Sequence, residues 1–162
     1  MTNPETAATA GDLVITRVFD APRELVWKAW TTPEHLMRWW GPSEFGSPAA
    51  SVDLRVGGKY LLCMKSATEE YWNTGEYLEI TPPERLVYRD TLSDPQGSPV
   101  PGSYYGMEGD NISYMTVTVT FEDLGGRTRM TIRHRLPESE PLIPLMYAGW
   151  NGSFDKLAAS LK

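Results

Sequence analysis

Between Ser51 and Arg135, apolar and polar residues alternate with a period of two through most of the sequence. Successive side chains of a β-strand point to opposite faces, so this pattern predicts strands with one buried face each. Six strands are predicted here, near residues 50–55, 59–65, 71–80, 84–91, 113–122 and 127–135. Because short turn segments such as Gly57-Gly58, Pro82-Pro83 and Gly125-Gly126 separate them, we expect an antiparallel meander.

Helical patterns flank this region on both sides. A strand over 13–19 is followed by two short helices, since Asp20-Ala21-Pro22 and Thr32-Pro33 are helix start signals and Gly41-Pro42 is a stop signal. From about residue 144, apolar residues recur at spacings of three and four, which predicts one long C-terminal helix. Only this helix is long enough to cover the apolar face of the sheet. We therefore expect an α+β domain in which a curved antiparallel sheet of about seven strands wraps around the C-terminal helix.

A single domain is expected over residues 12–162, preceded by a flexible N-terminal tail over 1–11. The chain of 162 residues is 41% hydrophobic and 22% charged, which is the composition of an ordinary globular protein. Its net charge of −6 argues against nucleic acid as a partner. No stretch reaches the roughly 18 apolar residues that a membrane span requires, so we expect no membrane insertion and a cytoplasmic location.

Several short motifs together make the sequence similar to a known family. They are Arg17-Val18-Phe19-Asp20-Ala21-Pro22, Val26-Trp27, Arg38-Trp39-Trp40-Gly41-Pro42, Asp53-Leu54-Arg55-Val56-Gly57-Gly58, Glu79-Ile80-Thr81-Pro82-Pro83-Glu84-Arg85-Leu86, Thr118-Val119-Thr120-Phe121-Glu122, Gly149-Trp150 and Phe154-Asp155-Lys156-Leu157-Ala158. Over roughly residues 12–161, the chain resembles the bacterial heat-shock-chaperone ATPase activator homology family. The resemblance implies the helix-grip fold of the START-like superfamily, in which the sheet and the C-terminal helix enclose a hydrophobic cavity. That superfamily includes lipid carriers, plant allergens that bind small ligands, polyketide cyclases and chaperone activators, so the fold alone does not determine function.

Aromatic and sulfur-containing residues are concentrated at the positions that should face this cavity. We expect ligand contacts from Trp39, Tyr60, Leu62, Met64, Trp72, Met115, Trp150 and Phe154. Most of these residues would be core in any interpretation, but a large aromatic surface with a few polar groups is also typical of small-molecule pockets. The predicted cavity is bounded by Tyr60, Met64, Met115, His134, Trp150 and Phe154.

Two polar residues are candidates for contact with a ligand. His134 shares one face of the last strand with apolar residues, so its imidazole could bond a ligand oxygen. The alternative is a core histidine bonded to a neighbouring carbonyl or carboxylate. Glu76 has the parity of Ile80 and would be an inward carboxylate with a raised pKa. A bulge would reverse that direction, and an ion pair with a buried arginine such as Arg17 is the structural alternative.

The segment from Ser93 to Asn111 is rich in Gly, Pro and Ser and is longer than most loops of compact domains. Within it, Tyr104, Tyr105 and Met107 could close over the cavity as a lid or pack against the end of the sheet. The last strand also carries arginines opposite His134, at positions 127, 129, 133 and 135. They either pair with acidic residues of neighbouring strands or form a docking face for an acidic protein partner.

The sequence contains no recognisable catalytic constellation. It has two histidines, one cysteine and none of the nucleophile, phosphate-loop or metal-ligand motifs, so we predict no catalytic residue, no metal and no cofactor. The first function that we expect is binding of a hydrophobic, lipid-like or aromatic small molecule, as a carrier or sensor. The second is a polyketide-cyclase-type enzyme in which His134 or Glu76 moves protons. The third is contact with a chaperone, while monomer and homodimer both stay open.

Overall fold

The computed structural model describes residues 6–9, 12–107, 109–135 and 143–161. The strands are β1 (Thr6–Thr9), β2 (Asp12–Phe19), β3 (Ala50–Val52), β4 (Lys59–Lys65), β5 (Glu70–Thr81), β6 (Arg85–Ser93), β7 (Met115–Asp123) and β8 (Thr128–Arg135). They form one antiparallel sheet with the order β1-β2-β8-β7-β6-β5-β4-β3. The helices are α1 (Arg23–Thr31), α2 (Pro33–Trp39) and α3 (Ile143–Ser160), with a short 3₁₀ helix at Gly102–Tyr105.

The α+β architecture predicted from the sequence is confirmed: the seven predicted strands, β2–β8, and the three predicted helices are present in the expected order, and β1 is an additional strand. The long helix begins at Ile143 and has Pro144 in its first turn. Backbone N–H groups of a first turn have no partner within the helix, so the missing N–H of proline breaks no helical hydrogen bond. A flexible tail was expected over residues 1–11, but Thr6–Thr9 form the strand β1, which pairs with β2. Its Thr-Ala-Ala-Thr sequence has no apolar alternation, and this backbone pairing is therefore not readable from the sequence. The rest of the segment 1–11 lies outside the described residues.

The pairing register defines which residues share a face of the sheet, because directly opposite residues point to the same side. One row of opposed residues consists of Tyr77, Tyr88, Val117, His134 and Leu13. The next row consists of Tyr60, Gly75, Asp90 and Met115. His134 contacts Trp150 of α3, so these rows belong to the face that is turned toward the helices. We call it the inner face.

Five aromatic side chains, which we call the aromatic cluster, lie between the inner face and the surface of the protein. They are Trp30 of α1, Trp39 of α2, the following Trp40, and Trp150 and Phe154 of α3. The Trp30 ring centroid lies 4.8 Å from that of Trp39 and 6.0 Å from that of Trp150. The ring centroid of Trp150 is 5.4 Å from that of Phe154. The cluster thus joins the three helices into one layer, and each ring buries a large apolar area.

Two basic side chains hold α3 in place. Lys156 donates to the backbone carbonyls of Trp40, Pro42 and Phe45, at 3.4, 3.0 and 2.6 Å from Nζ. Partial burial lowers the pKa of this lysine. Arg17 of β2 contacts α3 from the sheet, where its Nη2 lies 2.7 Å from Asp155 Oδ1. These contacts fix the helix against both the sheet and the segment that follows α2.

The glycines of α3 provide a test of how closely this helix packs. A Cβ at Gly152 would lie 2.5 Å from Ser43 Oγ and 2.8 Å from its backbone nitrogen, whereas one at Gly149 would lie 3.5 Å from Pro42 Cγ. We expect Gly152→Ala to reduce the free energy of unfolding by about 1–3 kcal/mol, since the helix must move away. Gly149→Ala should raise it by up to about 1 kcal/mol through helix propensity. Urea denaturation of both variants checks this pair, and a shift of both in the same direction would contradict it.

Candidate ligand-binding site

The interior between the sheet and the helices contains a small void of about 20 Å³. It is lined by Trp30, Leu36, Trp40, Tyr60, Leu62, Tyr77, Leu86 and Tyr88. This volume has room for about one water molecule, whereas pockets for drug-sized ligands measure about 300–1,000 Å³. The large cavity that the sequence predicts is therefore not open in this conformation. The physical reason is the aromatic cluster, whose rings fill the space between α3 and the sheet.

The predicted contact residues occupy three kinds of position. Tyr60 and Leu62 line the void. Trp39 and Phe154 are fully buried within the aromatic cluster, and Trp150 is partly exposed at its edge. Met115 and Met64 belong to the inner face and are partly buried, with Met64 close to Gly41. The inner-face direction that the sequence assigns to these residues agrees with the register.

Glu76 and Trp72 point away from the void, which corrects their assignment to the cavity. Glu76 lies on the outer face, where its Oε2 is 3.3 Å from Nη2 of Arg89. Glu76 has the parity of Ile80 in the sequence, but the register of β5 shifts between Tyr77 and Glu79. Because the bulge adds one residue, Ile80 faces inward while Glu76 does not. Trp72 and Glu76 both precede the bulge and share the same parity, so Trp72 also lies on the outer face. Its indole nitrogen donates to Glu70.

The acidic residue of the inner face is Asp90, which the sequence analysis missed. Its carboxylate accepts from the Tyr60 hydroxyl and, at 3.2 Å, from Asn73 Nδ2. Burial raises the pKa of Asp90 to about 7, although both hydrogen bonds act to lower it. Gly75 makes this arrangement possible, since a Cβ there would collide with the Tyr60 hydroxyl. The alternation of Leu86, Tyr88 and Asp90 along β6 was the available sequence signal.

His134 is buried in the inner face, as predicted. Its Nδ1 accepts from the indole nitrogen of Trp150 at 2.9 Å. Burial lowers the pKa of His134 to about 4, so the ring is neutral at pH 7 and carries its proton on Nε2. Nε2 is buried and has no hydrogen-bond partner among the residues that the structure describes. The core alternative named a carbonyl or carboxylate as the partner of His134, whereas Nδ1 accepts from an indole, and contact of His134 with a ligand stays a prediction.

Tyr88 supplies a second buried group without a partner. Its ring lines the void and lies 5.5 Å from the Tyr60 ring, in an edge-to-face arrangement. The Tyr88 hydroxyl is buried and meets no partner within the described part of the chain. Burial raises the pKa of this phenol well above 10, so the hydroxyl keeps its proton. The inner face therefore presents two protonated donors, on Tyr88 and His134, which flank Val117 in one row.

The loop that was a candidate lid does not cover the void. The Tyr105 hydroxyl donates to the Ser93 carbonyl and accepts from the Trp72 amide at 3.1 Å. These contacts place it at the open end of the β5–β6 hairpin, which was the second possibility from the sequence. Tyr104 and Met107 are 55% and 44% exposed. In this conformation the loop completes the end of the sheet.

Three of the four arginines opposite His134 lie near acidic residues of neighbouring segments. Arg129 lies 2.9 Å from Glu122, and Arg133 lies 3.2 Å from Asp12. Arg127 is 3.9 Å from Asp20. Exposed pairs of this kind contribute little to stability, but the acidic partners offset the positive charge of these three arginines.

An antiparallel sheet that closes around a C-terminal helix defines the helix-grip class of proteins. A family model described as "Activator of Hsp90 ATPase homolog 1-like protein" matches residues 20–162, so the chain belongs to that family. No curated protein matches the sequence. Within the described residues, none of the helices has the length and apolar character required to cross a membrane.

Solved structures with the same fold come from several bacteria. A solution structure of a protein from Arthrobacter aurescens is 28% identical, with a TM-score of 0.79, and the match covers 99% of this chain and 92% of that one. Protein CV1439 from Chromobacterium violaceum is also 28% identical, with a TM-score of 0.74 and coverage of 94% and 98%. The AHSA1 protein from Silicibacter pomeroyi, at 24% identity, a TM-score of 0.73 and coverage of 93% and 96%, shows likeness of fold alone.

Proposed function

We propose that this protein binds a small, largely apolar molecule between the inner face and α3, as a carrier or sensor. The observation that carries the proposal is the pair of buried, unpartnered donors on Tyr88 and His134, next to an aromatic-lined void. An unsatisfied buried polar group costs about 1–3 kcal/mol, and such groups are rare in native proteins. A ligand that accepts these hydrogen bonds would recover that cost. The general ligand-binding character of this fold supports the same conclusion.

The binding must include a movement of the aromatic cluster, since the void of about 20 Å³ holds no more than a water molecule. Trp150 is the side chain that we expect to move. It is partly exposed, it stacks on Trp30, and it contacts both Trp40, beside the void, and His134. Rotation of the Trp150 ring would join the void to His134 and release one hydrogen bond at Nδ1.

A cyclase-type enzyme is the second candidate, and Asp90 is the observation that favours it. A buried carboxylic acid with a pKa of about 7 can both donate and accept a proton at neutral pH. Its hydrogen bond to Tyr60 places it next to a residue that lines the void. Asp90 thus replaces Glu76 as the candidate acid or base. Contact with a chaperone remains a prediction from the family resemblance.

The proposal predicts that apolar compounds stabilise the folded protein. Native mass spectrometry of freshly purified protein should detect a bound small molecule, and a thermal-shift screen with fatty acid esters, flavonoids and polyketides should raise the melting temperature. At a ligand concentration of 100 times Kd, the expected stabilisation is about 2.7 kcal/mol. No bound molecule and no shift with any compound at millimolar concentration would contradict the proposed function. Turnover of a stabilising compound, lost in Asp90→Asn, would favour the enzyme instead.

A further inference from the structure

We propose that the ligand carries neutral hydrogen-bond acceptors, carbonyls of the ketone, ester or quinone class, which accept from the Tyr88 hydroxyl and from Nε2 of His134. This inference rests on the proposed function and specifies the chemistry of the same site. It excludes free carboxylates as preferred ligands. This preference is determined by the protons that the buried groups hold and by the charges near them.

The state of His134 follows from its partner. The indole nitrogen of Trp150 is only a donor, so the 2.9 Å contact requires Nδ1 of His134 to be an acceptor. The proton of the neutral ring is then on Nε2, which has no partner among the described residues. The Tyr88 hydroxyl is likewise protonated and buried. Two donors without acceptors call for a ligand that supplies oxygen lone pairs.

The charges around the site disfavour an anionic ligand. Among the inner-face positions of the described strands, Arg17 is the single cation, and its guanidinium bonds Asn151 and Asp155 of α3. Lys156 is occupied by three backbone carbonyls. On the inner face of β6, the titratable neighbour of Tyr88 is an acid, Asp90, while Arg89 lies on the outer face beside Glu76. A carboxylate buried without a cationic partner loses more hydration free energy than the site returns, so the neutral form of a ligand is favoured.

The position of the donors also limits the shape of the ligand. Tyr88 and His134 lie on β6 and β8, on either side of Val117 of β7. Alternate strands are roughly 10 Å apart, so an elongated molecule lying over Val117 could reach both groups once Trp150 has moved. The surrounding aromatic walls favour a flat or chain-like apolar body. A neutral carbonyl compound with such a body meets each of these requirements.

The experiment compares esters with the corresponding acids by isothermal titration calorimetry at pH 8. The probes are methyl benzoate, methyl 2-naphthoate and methyl decanoate, each against its free carboxylate. At least one ester should bind, at least 10-fold more tightly than its carboxylate. Tyr88→Phe should weaken that ester about 5- to 10-fold, the usual effect of one lost hydrogen bond. The matched control is Tyr114→Phe, which removes the hydroxyl of a tyrosine that is 45% exposed, packs against Arg89 and does not line the void, and it should leave the affinity within about 2-fold.

The outcomes separate the two levels of the proposal. A carboxylate that binds as tightly as its ester overturns the carbonyl inference and leaves ligand binding intact. Equal losses in Tyr88→Phe and Tyr114→Phe also overturn it, because the Tyr88 hydroxyl would then have no special role. If none of the six probes binds, the carbonyl inference fails, whereas the proposed function fails only when mass spectrometry finds no bound molecule and no compound of the wider screen stabilises the protein.

Discussion

Replacing Asp90 with asparagine is expected to remove a pH dependence from the stability of the fold. Burial raises the pKa of Asp90 to about 7 from an ordinary value of 3.8, so between these values the folded state holds a proton that the unfolded state releases. The free energy of unfolding should therefore fall as the pH rises through this window. Between pH 5 and pH 8.5, Asp90 alone should account for a loss of about 2–3 kcal/mol.

Urea denaturation across this pH range measures the effect, and the difference between the variant and the unmodified protein isolates Asp90. The control is Asp110→Asn, which makes the same charge change at an exposed position. The amide of Asp90→Asn can still accept from Tyr60, so most of the packing is retained. Tyr60→Phe adds a second readout, because loss of the hydroxyl bond should raise the pKa of Asp90 further. Parallel stability profiles for Asp90→Asn and the unmodified protein would contradict the account.

Trp150→Ala is expected to open the interior and to create a binding site for small aromatic molecules. Removal of the indole connects the void at Tyr88 with the buried ring of His134 and frees Nδ1 of that ring. Dry apolar cavities of about 150 Å³ bind benzene-sized molecules. We expect the free energy of unfolding to fall by about 3 kcal/mol, and part of that loss to be restored by methyl benzoate.

The matched control is Trp72→Ala, which removes a partly buried tryptophan from the outer face. It should destabilise the fold without creating a site, so methyl benzoate should not restore its stability. Thermal unfolding of both variants with and without the ester gives the comparison. Equal recovery of the two variants would mean that the ester binds elsewhere, and that Trp150 does not close the interior.

The fold could be predicted because its determinants are local. Alternation defines the strands, and the turn residues between them define the meander. The predicted bounds of seven strands therefore lie within a few residues of the observed bounds. The bulge after Tyr77 was not readable, because it depends on the pairing of β5 with β6. That single extra residue led the sequence argument to Glu76 as the inward acid. Asp90 has the correct parity in an uninterrupted strand and was overlooked.

The state of the interior depends on packing, which a sequence pattern does not contain. Parity places Tyr60 and His134 on the inner face but cannot tell whether a ligand or other side chains fill the space in front of them. Here the rings of Trp30 and Trp40 fill it, and neither was among the predicted contacts. The contacts by which Lys156 holds α3 could not be predicted from the sequence either, because the acceptors are backbone carbonyls. Backbone acceptors have no residue-type signal.

The central claim, that a ligand enters the interior by displacing Trp150, is tested most directly by NMR of the indole N–H groups. The Trp150 signal can be assigned with Trp150→Phe and followed while methyl 2-naphthoate is added. We expect a large shift of the Trp150 indole proton as its bond to His134 breaks, together with a shift of the His134 ring, and no change at Trp72 on the outer face. Saturable binding that shifts Trp72 and leaves Trp150 and His134 unchanged would contradict the claim.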